Sequence, residues 1–206
     1  MKILFLLLFI SSNPAASAGA LPPYTIQVSA HSAASGRRFD ITMRRERRTV
    51  TLIYQKQEGV NQAQLRADPL YGKLARQLQP SLPRDSIKAL SDALEVVIEK
   101  HSYFTKDSLL LPVARNKALV ALLDSAYLAS PETLENPEAN RSRIVLDGTG
   151  FRFSFLAEGK TVKQAYVRAP SPHTHALLYR LITVPLSLYR SKHPNSFLDE
   201  ATTSGY

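Results

Sequence analysis

The chain has 206 residues, no cysteine, no tryptophan and a 44% apolar share, which is enough for one hydrophobic core and excludes a wholly disordered chain. Without cysteine there can be neither disulfides nor a cysteine-linked lipid anchor. Lys and Arg number 26 against 17 Asp and Glu, a formal net charge of +9, so acidic partners are favoured.

The first segment reads as an export signal. Lys2 precedes the apolar run Ile3 to Ile10, and the small residues Ala15, Ala16, Ser17 and Ala18 follow. A charged start, a short apolar stretch and a small-x-small site make a secretory signal peptide. Cleavage after Ala18 is expected, with Ala20 as the second choice. Spanning a bilayer takes about 20 apolar residues, more than this run supplies. The expected product is periplasmic or secreted, one α+β domain over 19–193 with a flexible tail over 194–206.

Tyr24 to Gln55 reads as a three-stranded antiparallel meander. Ile26, Val28 and Ala30 alternate with polar residues, then Phe39, Ile41 and Met43, then Val50, Leu52 and Tyr54. Period-two alternation predicts strands with one buried face. Around the second run the chain is rich in arginine, with Arg37 and Arg38 before it and Arg44, Arg45, Arg47 and Arg48 after it, six within twelve residues.

A helical middle follows. Asp68-Pro69 is a start signal, with Leu70, Leu74 and Leu78 on one face as far as Pro80. A second helix is predicted from about Arg84 to His101, with Ile87, Leu90, Leu94 and Val97 as its stripe. A third is predicted from about Pro112 to Ala129, burying Leu119, Leu122, Leu123 and Ala126. Residues 130–142 read as an exposed connection.

A second three-stranded meander is expected from Ile144-Val145-Leu146, Phe151 to Phe155, and Thr161 to Arg168, turning at Asp147-Gly148 and Glu158-Gly159. A final helix follows Ser171-Pro172, with Leu177, Leu178, Leu181 and Ile182 buried and Pro185 as a kink. Strands, helices, strands and helix in that order make an α+β fold, with helices over the apolar sheet face. Gly36-x-x-Phe39 is echoed by Gly150-x-x-Phe153, and Thr49 with Tyr54 by Thr161 with Tyr166, as an internal duplication or chance likeness between two hairpin units would give.

Motifs for chemistry are sparse. His173 and His175 stand two apart at a predicted helix start, where their side chains diverge, so no metal site is expected. There is no Gly-x-Ser-x-Gly elbow and no phosphate-binding glycine loop. Asp92, Glu95 and Glu99 form a helix stripe and Asp147 and Glu158 lie at turns, which reads as solvated surface. Phe151, Phe153 and Phe155 read as sheet core.

The functional expectation is therefore a non-enzymatic, exported protein-binding module without a cofactor. Its most concrete form is an immunity or inhibitor protein that covers a toxin or envelope hydrolase. The expected binding residues are Arg44, Arg45, Arg47 and Arg48, supported by Arg37 and Arg38, with Phe39 and Tyr54 as apolar anchors. The expected partner is an acidic protein. An anionic envelope polymer or lipid surface is the alternative, and a hydrolase with an unrecognised site is a further one. Nucleic acid is not expected, because stacking platforms need aromatics among the basic residues and this stretch offers only Phe39.

Overall fold

Alternating strands build the centre of the molecule. The computed structural model describes residues 21–32, 38–141, 149–193 and 197–198. In β1 (Tyr24–Ser32), Tyr24, Ile26, Val28 and Ala30 are buried on one face. In β2 (Arg38–Arg45), Phe39, Ile41 and Met43 join them, and in β3 (Thr49–Val60), Val50, Leu52 and Tyr54 do. Three more strands are β4 (Ser102–Pro112), β5 (Thr149–Ala157) and β6 (Lys160–Arg168). All six form one antiparallel sheet in the order β4-β3-β2-β1-β5-β6.

The α+β fold matches the expectation, and the sheet shows how its parts join. The first meander continues into β4, while β5 and β6 add to the opposite edge of β1, which lies between β2 and β5. Ile144-Val145-Leu146, the Asp147-Gly148 turn and the signal segment lie outside the described residues. The β5–β6 turn falls where expected, with positive φ at Glu158 (50°) and Gly159 (77°), as a two-residue hairpin turn with matching twist requires. The duplication echo fails at its tyrosines. Tyr54 is buried, whereas Tyr166 stands on the opposite, polar face and is 53% exposed.

Two helices cover the apolar face. They are α4 (Lys117–Leu128), which buries Leu119, Leu122, Leu123 and Ala126, and α7 (Ala176–Lys192), which buries Leu178, Leu181 and Ile182. Helix α7 runs through Pro185 without ending. Phe39 and Phe151 lie on either side of Ala30 and meet edge to face at 6.4 Å. A fully buried side chain of that size contributes about 1.5–3 kcal/mol. Helix α4 starts later than predicted because Pro112 ends β4 and a 3-10 turn (Val113–Arg115) intervenes.

Lys163 faces the apolar side from β6, opposite Phe155. Its ammonium donates to the carbonyls of Ala126 (3.0 Å), Tyr127 (2.7 Å) and Ala129 at the end of α4. It also lies 4.2 Å from the centre of the Phe155 ring. A lysine at that end satisfies orphan carbonyls and complements the helix dipole. Burial lowers its pKa from the ordinary lysine value.

The remaining helices are α1 (Gln62–Ala67), α2 (Pro69–Gln77), α3 (Arg84–Lys100), α5 (Pro131–Glu135) and α6 (Pro137–Arg141). The first three form an insertion between the paired strands β3 and β4, closed where the Asn61 N–H donates to the His101 carbonyl at 2.8 Å. They share a small separate core of Leu65, Leu74 and Val97. Leu70 and Leu78 are exposed rather than part of a buried stripe, at 49% and 40%. Asp68 caps α2 through the Leu70 N–H (2.9 Å) and binds His101 Nε2 (2.8 Å) and Lys100 Nζ (3.1 Å). Residues 131–141, expected as an open connection, instead form α5 and α6 and bury Leu134.

Candidate functional site

The structure divides the expected binding residues into three groups. Arg37 lies outside the described residues. Phe39 and Tyr54 are 1% and 0% exposed, so neither can anchor a partner. Their place in the strand alternation points both into the core, and the Tyr54 hydroxyl donates to the Pro185 carbonyl at 2.7 Å.

The arginines also separate. Arg45 alternates inward and is 8% exposed. Its Nε lies 3.8 Å from Asp124, and its guanidinium donates to the Glu46 carbonyl. Asp124 in turn accepts the Tyr24 hydroxyl at 2.5 Å. Burial, then that bond to Asp124, pushes the Tyr24 pKa upward. Arg38 starts β2 while Arg45 ends it, so Arg38 belongs to the far end of the sheet. It is held by Asp40 (3.2 Å), Glu95 (3.3 Å) and Glu99 (3.4 Å).

Arg44, Arg47 and Arg48 remain exposed at the β2–β3 end. Arg44 sits on the polar face between Thr25 and Thr51. The nearby Glu46 is occupied by Thr49, whose hydroxyl donates to it at 3.3 Å. The fold adds two cations that the sequence order hides. The Val113 N–H donates to the Arg48 carbonyl at 2.9 Å, so the 3-10 turn brings the exposed Arg115 and then Lys117 to the same end. None of these five side chains has an ion-pair partner among the described residues.

A second feature lies on the polar face at the opposite end. Helix α3 stands over the sheet there and leaves a cleft of about 460 Å³. Its carboxylates reach down to the sheet: Glu95 and Glu99 to Arg38, and Asp92 to Arg152 at 3.1 Å. The stripe read as solvated surface therefore ties the insertion to β2 and β5. Burial raises the Asp40 pKa above its ordinary range, against the pull of Arg38 and the Ser29 hydroxyl. Period-two alternation could place Ser29, His31, Arg38, Arg152 and Arg168 on one face, but not α3 above them.

The final helix starts at Ala176 with His175 as its N-cap, so His173 and His175 precede it and do not sit in a first helical turn begun at Ser171-Pro172. His175 is 3% exposed, with Nε2 2.9 Å from the Glu135 carbonyl, while His173 is exposed. Among the described residues no group of three or more His, Asp or Glu could hold a metal ion. No described helix is long and apolar enough to cross a membrane. In comparisons with known proteins no family model matches the chain, and neither a curated protein nor a solved structure matches it.

Proposed function

We propose that the chain acts outside the cytoplasm as a non-enzymatic binding module that docks an acidic protein through the cationic end of its sheet. In its most concrete form it is an immunity or inhibitor protein that covers a toxin or an envelope hydrolase. One observation carries this reading. Arg44, Arg47, Arg48, Arg115 and Lys117 lie toward one end of the sheet, where Glu46 is the carboxylate of the same turn, and none of the five is ion-paired among the described residues, while Arg38, Arg45 and Arg152 each are. Unpaired surface charge of one sign steers a complementary partner and sets its orientation. Export rests on the Lys2 to Ala18 pattern.

A second reading is an envelope factor that binds an anionic polymer or lipid surface. It is favoured by the two turns of the cationic end, Arg44 to Thr49 and Val113 to Lys117, neither of which carries an aromatic residue of the kind enriched in protein interfaces. The readings differ in stoichiometry and salt response. A protein partner gives a discrete complex, and a polymer or vesicle gives binding that fades steadily with ionic strength.

The test is to direct the product of the adjacent reading frame to the periplasm, with and without this chain. Protection supports the immunity reading, and equal toxicity in both cultures refutes it.

A further inference from the structure

The cleft beneath α3 is large enough for a ligand and chemically uneven. Its volume of about 460 Å³ falls within the roughly 300–1,000 Å³ of small-molecule pockets. Leu94 and Ile98 of α3 supply an apolar wall. The carboxylates of Asp92, Glu95 and Glu99 on that helix are already bound by Arg38 and Arg152. The side chains of His31 and Arg168, by contrast, line the cleft with no hydrogen-bond or ion-pair partner among the described residues.

The strand register brings those two together. His31 pairs with Gly150, and Gly150 pairs with Arg168. Neighbouring strands lie about 4.8 Å apart, so the two Cα atoms are about 10 Å apart and the intervening residue has no side chain. A Cβ on Gly150 would stand 2.7 Å from the Tyr166 hydroxyl, so that hydroxyl hangs over the glycine. An imidazole-bearing and a guanidinium-bearing residue thus flank Gly150 on the polar face, with a phenol hydroxyl over the glycine, in the cleft that Leu94 and Ile98 also line.

We infer that this cleft binds a small amphiphile with one anionic head group, a carboxylate or phosphate, with its head on Arg168, His31 and the Tyr166 hydroxyl and its chain against Leu94 and Ile98. A guanidinium and a phenol are strong donors to such heads, and a cleft of mixed lining suits a ligand of mixed polarity. This site is separate from the cationic end and does not depend on it.

Calorimetry with the purified chain tests the inference, using dodecanoate and dodecyl phosphate below their micelle concentrations, with dodecanol and inorganic phosphate as controls. Both amphiphilic anions should bind at one per chain, and each control at least tenfold more weakly. Arg168→Gln should weaken both anions about tenfold, and Tyr166→Phe should weaken them less. Arg47→Ser with Arg48→Ser should leave them unchanged. Four results would overturn the site: no saturable binding of either anion, equal binding of a control, no effect of Arg168→Gln, or a loss caused by the Arg47 and Arg48 changes.

Discussion

Tyr54 donates its hydroxyl to the Pro185 carbonyl across 2.7 Å, and so fastens the sheet to the middle of α7. The ring stacks on Tyr189 at 4.3 Å, and the Tyr189 hydroxyl donates to Asp107 at 2.9 Å. The chain thus closes a path from β3 through α7 to β4. Burial, with the neighbouring Tyr189 and Asp107, pushes the Tyr54 pKa upward.

Tyr54→Phe keeps the ring packing and removes one buried hydrogen bond. It should cost about 1–2 kcal/mol, read as a lower urea midpoint at unchanged slope. A docking role for Tyr54 would instead show as weaker partner binding at unchanged stability.

Arg45 belongs to the fold and not to the docking surface. Arg45→Met keeps the buried stem and loses the Asp124 contact. Asp124 is 30% exposed, so solvent screens part of the loss and the cost should be about 1 kcal/mol. Thermal unfolding should shift down by a few degrees, and partner affinity should hold.

Lys163→Met should be more costly. It strips the carbonyls of Ala126, Tyr127 and Ala129 of a charged donor. Hydrogen bonds to charged groups are each worth about 1.5–3 kcal/mol, and the methionine chain keeps contact with Phe155. A loss of about 2 kcal/mol is expected in chemical denaturation, with the earliest loss of amide protection at the end of α4.

Asp68 predicts an acid limit for the helical insertion. Hydrogen bonds from His101, then Lys100, then the Leu70 N–H hold its carboxyl well below the ordinary aspartate range. A depressed carboxylate adds stability above its unfolded value, near pH 4, and loses it as pH falls toward the folded value. Asp68→Asn keeps a competent helix cap and removes the charge. The variant should be less stable than the parent near neutrality, and the two should converge in strong acid. A gap that does not depend on pH would contradict this account.

Sequence patterning reached the three strands of the first meander, the β5–β6 hairpin and the burial of α4, because each has one face in water and one in the core. It missed β4. That element is an edge strand with no buried residue before Leu109, and Thr105, Lys106, Asp107 and Ser108 are all polar, so no apolar alternation marks it. The α3 stripe was legible, but its destination was not. Val97 packs with Leu65 and Leu74 rather than on the sheet, and periodicity does not name the layer that receives a stripe. The arginine run was visible as a run. Only alternation along β2 and the β3–β4 pairing sort it into a buried ion pair at Arg45, a tether at Arg38 and an exposed end joined by Arg115 and Lys117.

The role proposed for this exposed end is to dock an acidic protein. The direct measurement is the dissociation constant for the protein encoded by the adjacent reading frame, compared between the parent chain and Arg44→Ser, Arg47→Ser, Arg48→Ser combined. Arg168→Gln at the far end of the sheet serves as the control. Exposed charge pairs typically contribute about 0.2–1 kcal/mol each. The triple variant should therefore bind on the order of 10-fold more weakly, mostly through slower association and with a smaller salt dependence, while the control binds like the parent. An unchanged dissociation constant for the triple variant, or the absence of any complex with the parent, would contradict the account.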